Sequence, residues 1–235
     1  MGSPSKIEKW TVENSFDKKT GSVTPPQWPH EVLVKLFSSR AYSNLTHNII
    51  PLNESIRVVE IGCMGSNNLR FFSQKGCVVS GVEVTADLVN LSKEKCKDYG
   101  LENINVLCGN NQSIPFDDSS MDVLVSVNTL HYEQGAKNIN NALKSFSKVL
   151  RPGGVAFIET VATEHFIYKK ATRLDDFCFR SNYDDFRKND LFGFFESSLQ
   201  FKNTLQNYFS EVEVVTVSEF YQDISLQFYI GLAKK

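Results

Sequence analysis

The 235-residue chain suits one domain with appendages, and at 41% hydrophobic residues it can bury a sizeable core. A formal net charge of −2 gives no electrostatic case for nucleic acid as a partner. No apolar run is long enough to span a bilayer, and the polar first twenty residues do not read as a secretory signal. The five cysteines (Cys63, Cys77, Cys96, Cys108 and Cys178) form no C-x-x-C pair, so neither a metal site nor a disulfide framework is expected. A cytoplasmic location follows as the expectation.

Residues 1–50 precede the first strand of the expected sheet and read as an N-terminal cap. Residues 24–30, rich in proline, predict a rigid extended segment. Residues 31–37 predict a helix with Val32, Leu33, Leu36 and Phe37 inward, and residues 42–50 a second short helix ending at Pro51.

The main domain is expected over residues 51–235. Residues 56–61 form a short apolar run of the kind buried in parallel sheets, followed at once by a glycine-bearing turn and helical character over residues 67–74. Further strands are predicted at residues 77–82, 104–108, 121–127 and 155–159. Helices are predicted at residues 86–99, closed by Gly100, and at 138–150, stopped by Arg151-Pro152-Gly153-Gly154. Residues 163–196 break the rhythm. They are dense in charge and aromatics and read as a lid or acceptor-binding insertion. A helix at 198–209 precedes strands at 211–217 and 226–232, which their short connection makes antiparallel. The pattern predicts an α/β fold: a doubly wound, mostly parallel seven-stranded sheet with an antiparallel last strand and an N-terminal helical cap.

Strand, tight turn and helix make a nucleotide-type entry at the carboxyl edge of an open sheet. Glu60 ends the first strand, and Gly62 follows it. Glu83 ends the second, 21 residues beyond Gly62, where a carboxylate can accept hydrogen bonds from both hydroxyls of a ribose. A nicotinamide fingerprint starting at Gly62 would need glycines where Met64 and Asn67 stand.

Taken in order, four pieces resemble class I (Rossmann-like) S-adenosylmethionine-dependent methyltransferases of the type 11 kind. They are Glu60-Ile61-Gly62, Glu83, the segment from Gly109 to Asp122, and Leu150-Arg151-Pro152-Gly153-Gly154. The resemblance covers residues 56–235 and implies S-adenosylmethionine as cofactor. It implies cofactor contacts from Glu60, Gly62, Met64, Glu83, Asn110, Asn111 and Asn128. Asn110 stands where the family commonly has an acid that meets the adenine amino group. Met64 and Ser66 stand where the family usually has glycine. Asp117, Asp118 and Asp122 read as turn or cap residues.

Methyl transfer to a hydroxyl gains from a general base. His131, just past the fourth strand, is the first candidate. His165 and Glu159 are second choices, His30 can reach in from the cap, and His47 reads as structural. The expected acceptor is a small molecule, with a sugar or nucleotide-linked sugar among the candidates. Its hydroxyl is preferred over an amine, and aromatics of the insertion would wall its pocket. Arg173, Arg180, Arg187, Lys169 and Lys170 are candidates for an anionic substituent. The expected partners include no nucleic acid and no membrane, and a homodimer is compatible with the sequence. The alternatives are a non-catalytic, cofactor-binding partner subunit and a protein methyltransferase.

Overall fold

The computed structural model describes residues 28–39, 48–102, 104–184 and 187–235. Residues 24–27, most of the expected second helix, His47 and Phe186 lie outside them.

The apolar runs form a parallel sheet of β1 (Arg57–Ile61), β2 (Val78–Glu83), β3 (Asn105–Cys108), β4 (Met121–Ser126) and β5 (Leu150–Val161). A hairpin of β9 (Glu211–Tyr221) and β10 (Ile224–Lys234) completes it, in the order β3-β2-β1-β4-β5-β10-β9. The last strand, β10, runs antiparallel to both neighbours. The chain steps outward from β1 to β3 and then returns to the other side of β1 at β4. The β1/β4 boundary is therefore the switch point, where loops diverge and leave a crevice at the carboxyl edge.

Both faces are covered. Helices α1 (Glu31–Ser38) and α2 (Asn67–Gln74) bury Leu33, Leu36, Phe71 and Phe72 against Val58, Val125 and Phe157. Helix α3 (Ala86–Asp98) starts at Thr85, whose Oγ1 accepts from the Leu88 N–H, and ends at left-handed Gly100 as expected. Helix α4 (Gly135–Val149) seals the opposite face through Ile139, Leu143 and Phe146.

Three expectations change. Strand β5 begins at Leu150 and continues past Pro152-Gly153-Gly154, where its register against β4 shifts. Left-handed Gly153 donates to the Lys235 carbonyl, and Lys235 N–H donates to Gly154, so the chain terminus supplies the pairing. Asp122 is buried and joins two strands: Oδ2 accepts from the Arg57 N–H at 2.7 Å and Oδ1 pairs with Arg151. The hairpin extends beyond the expected strands, to a turn at Gln222-Asp223.

The insertion is ordered as a short helix α5 (Phe166–Lys169) and an antiparallel sheet of β6 (Ala171–Asp175), β7 (Cys178–Ser181) and β8 (Leu191–Phe192). Helix α6 (Ser198–Gln206) follows. The insertion's aromatics pack mainly on one another. Phe179, Phe192 and Phe194 form a buried cluster with Val161, and Phe192 stacks on Phe194 at 5.6 Å. Just past β8, Gly193 N–H donates to the His131 carbonyl at 2.8 Å, and any Cβ at Gly193 would collide with the Glu133 carbonyl. Gly193→Ala is expected to destabilise the fold by about 1–3 kcal/mol through overpacking. Urea denaturation reads this as a lower midpoint, and an unchanged midpoint contradicts the close seating.

Candidate active site

The turn after β1 holds three left-handed residues in a row of five: Gly62 (φ 73°), Met64 (φ 23°) and Ser66 (φ 58°). Gly62 is required twice over. Its φ favours glycine, and a Cβ there would meet Thr129 Cγ2 at 2.6 Å. Met64, where the family usually has glycine, is held from both sides. Its N–H donates to Glu83 Oε1 at 2.6 Å, and its carbonyl accepts from Ser92 Oγ at 2.9 Å. The backbone of the turn is thus fixed by side chains of β2 and α3.

Glu83 is buried at the end of β2, and its Oε2 also accepts from the Val84 N–H. Burial pushes its carboxyl up to about 7, against the lowering effect of these two backbone bonds. Glu60, at the end of β1, is only 4% exposed. Burial pushes it up to about 8, with the Asn68 side chain and the nearby Leu69 backbone N–H opposing and the neighbouring Glu83 adding to the rise. Its Oε1 accepts from Asn68 Nδ2 at 2.6 Å, while Oε2 is buried with no hydrogen-bond partner among the described residues. Asn128, left-handed just past β4, likewise buries an unpartnered Oδ1. Two acceptor atoms without donors at adjacent strand ends mark a place for a ligand.

Asn110 and Asn111 do different work. Asn110 Oδ1 accepts from the N–H groups of Gln112 and Ser113, so its carbonyl is spent on its own turn. An adenine-facing role for that side chain would fall to its Nδ2 or require this turn to open. Asn111 instead ties two loops together. Its Nδ2 donates to the Thr129 carbonyl and to Glu133 Oε1, and its Oδ1 accepts from Thr129 Oγ1. Ser126, Thr129, Glu133 and Gln112 complete this network, which the sequence pattern does not reveal because its members are spread over two loops.

The histidines are distributed unexpectedly. His131, the expected base, is buried at 3% exposure. Its ring packs on Tyr132 at 4.4 Å and lies beside Phe192 and Phe194, on the insertion's aromatic cluster. His165 is buried and caps α5 through Nδ1, and desolvation lowers it to about 4, with the Arg187 charge adding. His30 caps α1 and sets its Nε2 2.7 Å from Glu159 Oε2, while its backbone N–H donates to Asn68 Oδ1 at 2.8 Å. Asn68, which no sequence motif marks, therefore links the Glu60 and Glu159 ends of the site.

Among the cations named for an anionic substituent, Arg173 pairs with Asp176 and Glu196, and Lys169 with Glu164. Lys170 lies over Tyr183. Arg187 reaches the loop after β4, where its guanidinium donates to the Tyr132 hydroxyl at 3.1 Å. No group of metal-ligating side chains occurs among the described residues. No helix among them is long and apolar enough to cross a membrane.

Residues 59–158, which hold the turn, both acids and the Asn111 network, match the methyltransferase domain family. The chain carries a match to that domain over these residues and shares the fold of class I methyltransferases. It is 26% identical over 106 residues to the sterol 4-C-methyltransferase strm-1 of Caenorhabditis elegans, covering 45% of this chain and 31% of that protein. It is 23% identical over 104 residues to a ubiquinone biosynthesis O-methyltransferase of Coxiella burnetii, covering 44% and 43%. The chain thus spans less than half the length of either relative. A SAM-dependent methyltransferase from Methanosarcina mazei superposes with a TM-score of 0.63 at 17% identity, over 80% of this chain and 95% of that one. The methyltransferase fold expected from the ordered motifs is borne out.

Both buried carboxyls are raised above their unfolded values. They therefore favour the folded state fully only below about pH 4.5, and that contribution is lost as pH rises toward 7–8. The ligand-free protein is expected to lose urea stability between pH 5 and pH 8. Glu60→Gln should flatten that slope by on the order of 1 kcal/mol or more. A slope identical in the variant contradicts the assignment.

Proposed function

We propose that this domain transfers a methyl group from S-adenosylmethionine to a hydroxyl of a small molecule. The observation that carries the reading is the pair of buried strand-end acids around the left-handed turn: Glu83 closed on the Met64 backbone, and Glu60 with an unpartnered oxygen beside it. The chemistry of these donors and acceptors fits the cofactor. Glu60 Oε2 would accept from its ammonium, Glu83 from its ribose hydroxyls, and the backbone of Gly62 and Met64 would line its methionine end. Asn128 would offer Oδ1 at the end of β4, and Asn111 would hold the β4 loop in place. When bound, the cofactor supplies an electrophilic methyl on a good leaving group.

The chain's own contribution is position. Thr129 presses on Gly62, so the loop carrying the acceptor side of the site moves as one with the cofactor turn. His131 serves as the joint between that loop and the insertion, and the insertion covers the acceptor. Glu159 with His30 and Arg187 with Tyr132 would be polar groups on the acceptor side. Relatives named for a sterol and for ubiquinone biosynthesis support a small-molecule acceptor. Sugars remain in the same screen.

Calorimetry with S-adenosylhomocysteine tests the cofactor half. Micromolar binding is expected, and Glu83→Ala should weaken it about 100-fold, equivalent to ~2.7 kcal/mol. Because Glu60 is held protonated near neutral pH and would ionise against a cation, binding at pH 7 should release protons. The signature is a heat that changes with buffer ionisation enthalpy. Absence of binding by the wild type overturns the proposal. Binding with no methylated product across a broad acceptor screen favours a non-catalytic partner subunit instead.

A further inference from the structure

We propose that Glu159 is the group that takes the acceptor's proton and that His30, brought in by the N-terminal helix, positions it. The proposal rests on the methyl-transfer reading and assigns within it a step that no motif marked.

Register fixes the place. Ile61 pairs with Ser126, and Ser126 with Ile158. Gly62 and Glu159 each lie one residue beyond this shared rung, so they stand level at the carboxyl edge. One strand separates them, a span of about 10 Å from two inter-strand spacings. The face is the same one that carries Glu60, because Glu60, Val125 and Phe157 share the rung below. Glu159 is therefore at the height of the cofactor turn, displaced toward the acceptor side.

The carboxylate is built in. It is 1% exposed, and the imidazole of His30 meets its Oε2 at 2.7 Å. The ring is oriented three ways: Nδ1 accepts from the Leu33 N–H, its face meets Phe157 at 5.5 Å edge-on, and its own backbone N–H is held by Asn68. With Nδ1 accepting, the ring proton sits on Nε2 and points at Glu159. A carboxylate held on one oxygen by a donor and kept out of bulk water has its other oxygen, Oε1, for a substrate proton. Asn68 connects the same backbone to Glu60, so the acceptor pair and the cofactor turn share one anchor. The other two described histidines pack on the insertion: His131 lies beside Phe192, and His165 stacks on Phe166.

The step balances simply. The acceptor oxygen forms a bond to the methyl carbon, the carbon–sulfur pair stays on sulfur, and the hydroxyl proton passes to Glu159 Oε1. The products are the methyl ether, S-adenosylhomocysteine and a protonated Glu159 that returns its proton to solvent after release.

Glu159→Gln, Glu159→Asp and His30→Asn separate this role from structural ones. Asparagine retains a helix cap but is too short to reach Glu159. Each variant is assayed with S-adenosylmethionine against catechol, hydroquinone and methyl glucoside, alongside S-adenosylhomocysteine calorimetry and thermal unfolding. Glu159→Gln should lower kcat about 100-fold or more, with S-adenosylhomocysteine affinity within about twofold of wild type. Glu159→Asp should recover part of the loss, and His30→Asn should lose about tenfold in kcat with its unfolding midpoint retained. A Glu159→Gln enzyme with wild-type kcat, or one whose kcat and S-adenosylhomocysteine affinity fall together, overturns the proposal and leaves methyl transfer standing. A wild type that binds S-adenosylhomocysteine and methylates none of the three removes the hydroxyl reading and this proposal with it. Should Glu159→Gln fail to fold, His30→Asn decides: a kcat loss at a retained midpoint supports the proposal, and a wild-type kcat overturns it.

Discussion

A carboxylate buried without compensation costs several kcal/mol, and Glu60 and Glu83 are buried as neighbours at the ends of adjacent strands. Glu83 offsets the cost by accepting two backbone N–H groups, one of them from Met64 in the glycine turn. That contact couples β2 to the turn after β1 and, with the Ser92 hydroxyl on the Met64 carbonyl, holds a left-handed backbone in one shape. Glu60 is compensated on one oxygen only. The site is thus preorganised around an acid whose second oxygen has no donor, a state that a cationic ligand relieves.

The remaining loops are locked to this centre by close approach rather than by charge. Thr129 fills the space that a side chain on Gly62 would need, and the Asn111 network holds Thr129 and Glu133 in register. Gly193 then lays the insertion's backbone directly on Glu133. The contacts run from turn to β4 loop to insertion, with a glycine at the first and last points of contact. On the other side, Asn68 carries the connection from Glu60 to His30 and Glu159. The turn, the β4 loop, the insertion and the His30–Glu159 pair are thus joined by one continuous set of contacts, the arrangement that a reaction governed by positioning requires.

Much of the fold was legible because each parallel strand is built on a short, mostly apolar run and several of the helices and turns between them carry their own glycine or cap. The placing of Glu60, Gly62 and Glu83 at the strand ends was legible because they sit at fixed places relative to those runs. The extension of β5 was not, since its pairing is supplied by Lys235 at the far end of the chain. Nor were the strands of the insertion, whose aromatics read as a pocket wall but satisfy one another in a cluster of their own. His131 was singled out by its position after β4, but the ring's packing against Tyr132 and Phe194 depends on the insertion and was not legible. The His30–Glu159 contact joins an N-terminal cap to the fifth strand, and no local pattern in either segment announces the other.

The most direct measurement is a crystal structure of the protein with S-adenosylhomocysteine. The account predicts the ligand at the carboxyl edge of β1 and β2. Its ribose hydroxyls should lie within hydrogen-bonding distance of Glu83, its ammonium on Glu60, and its sulfur toward Asn128 and Glu159. Ligand bound elsewhere, or a Glu83 carboxylate that remains closed on Met64 without touching it, would contradict the account.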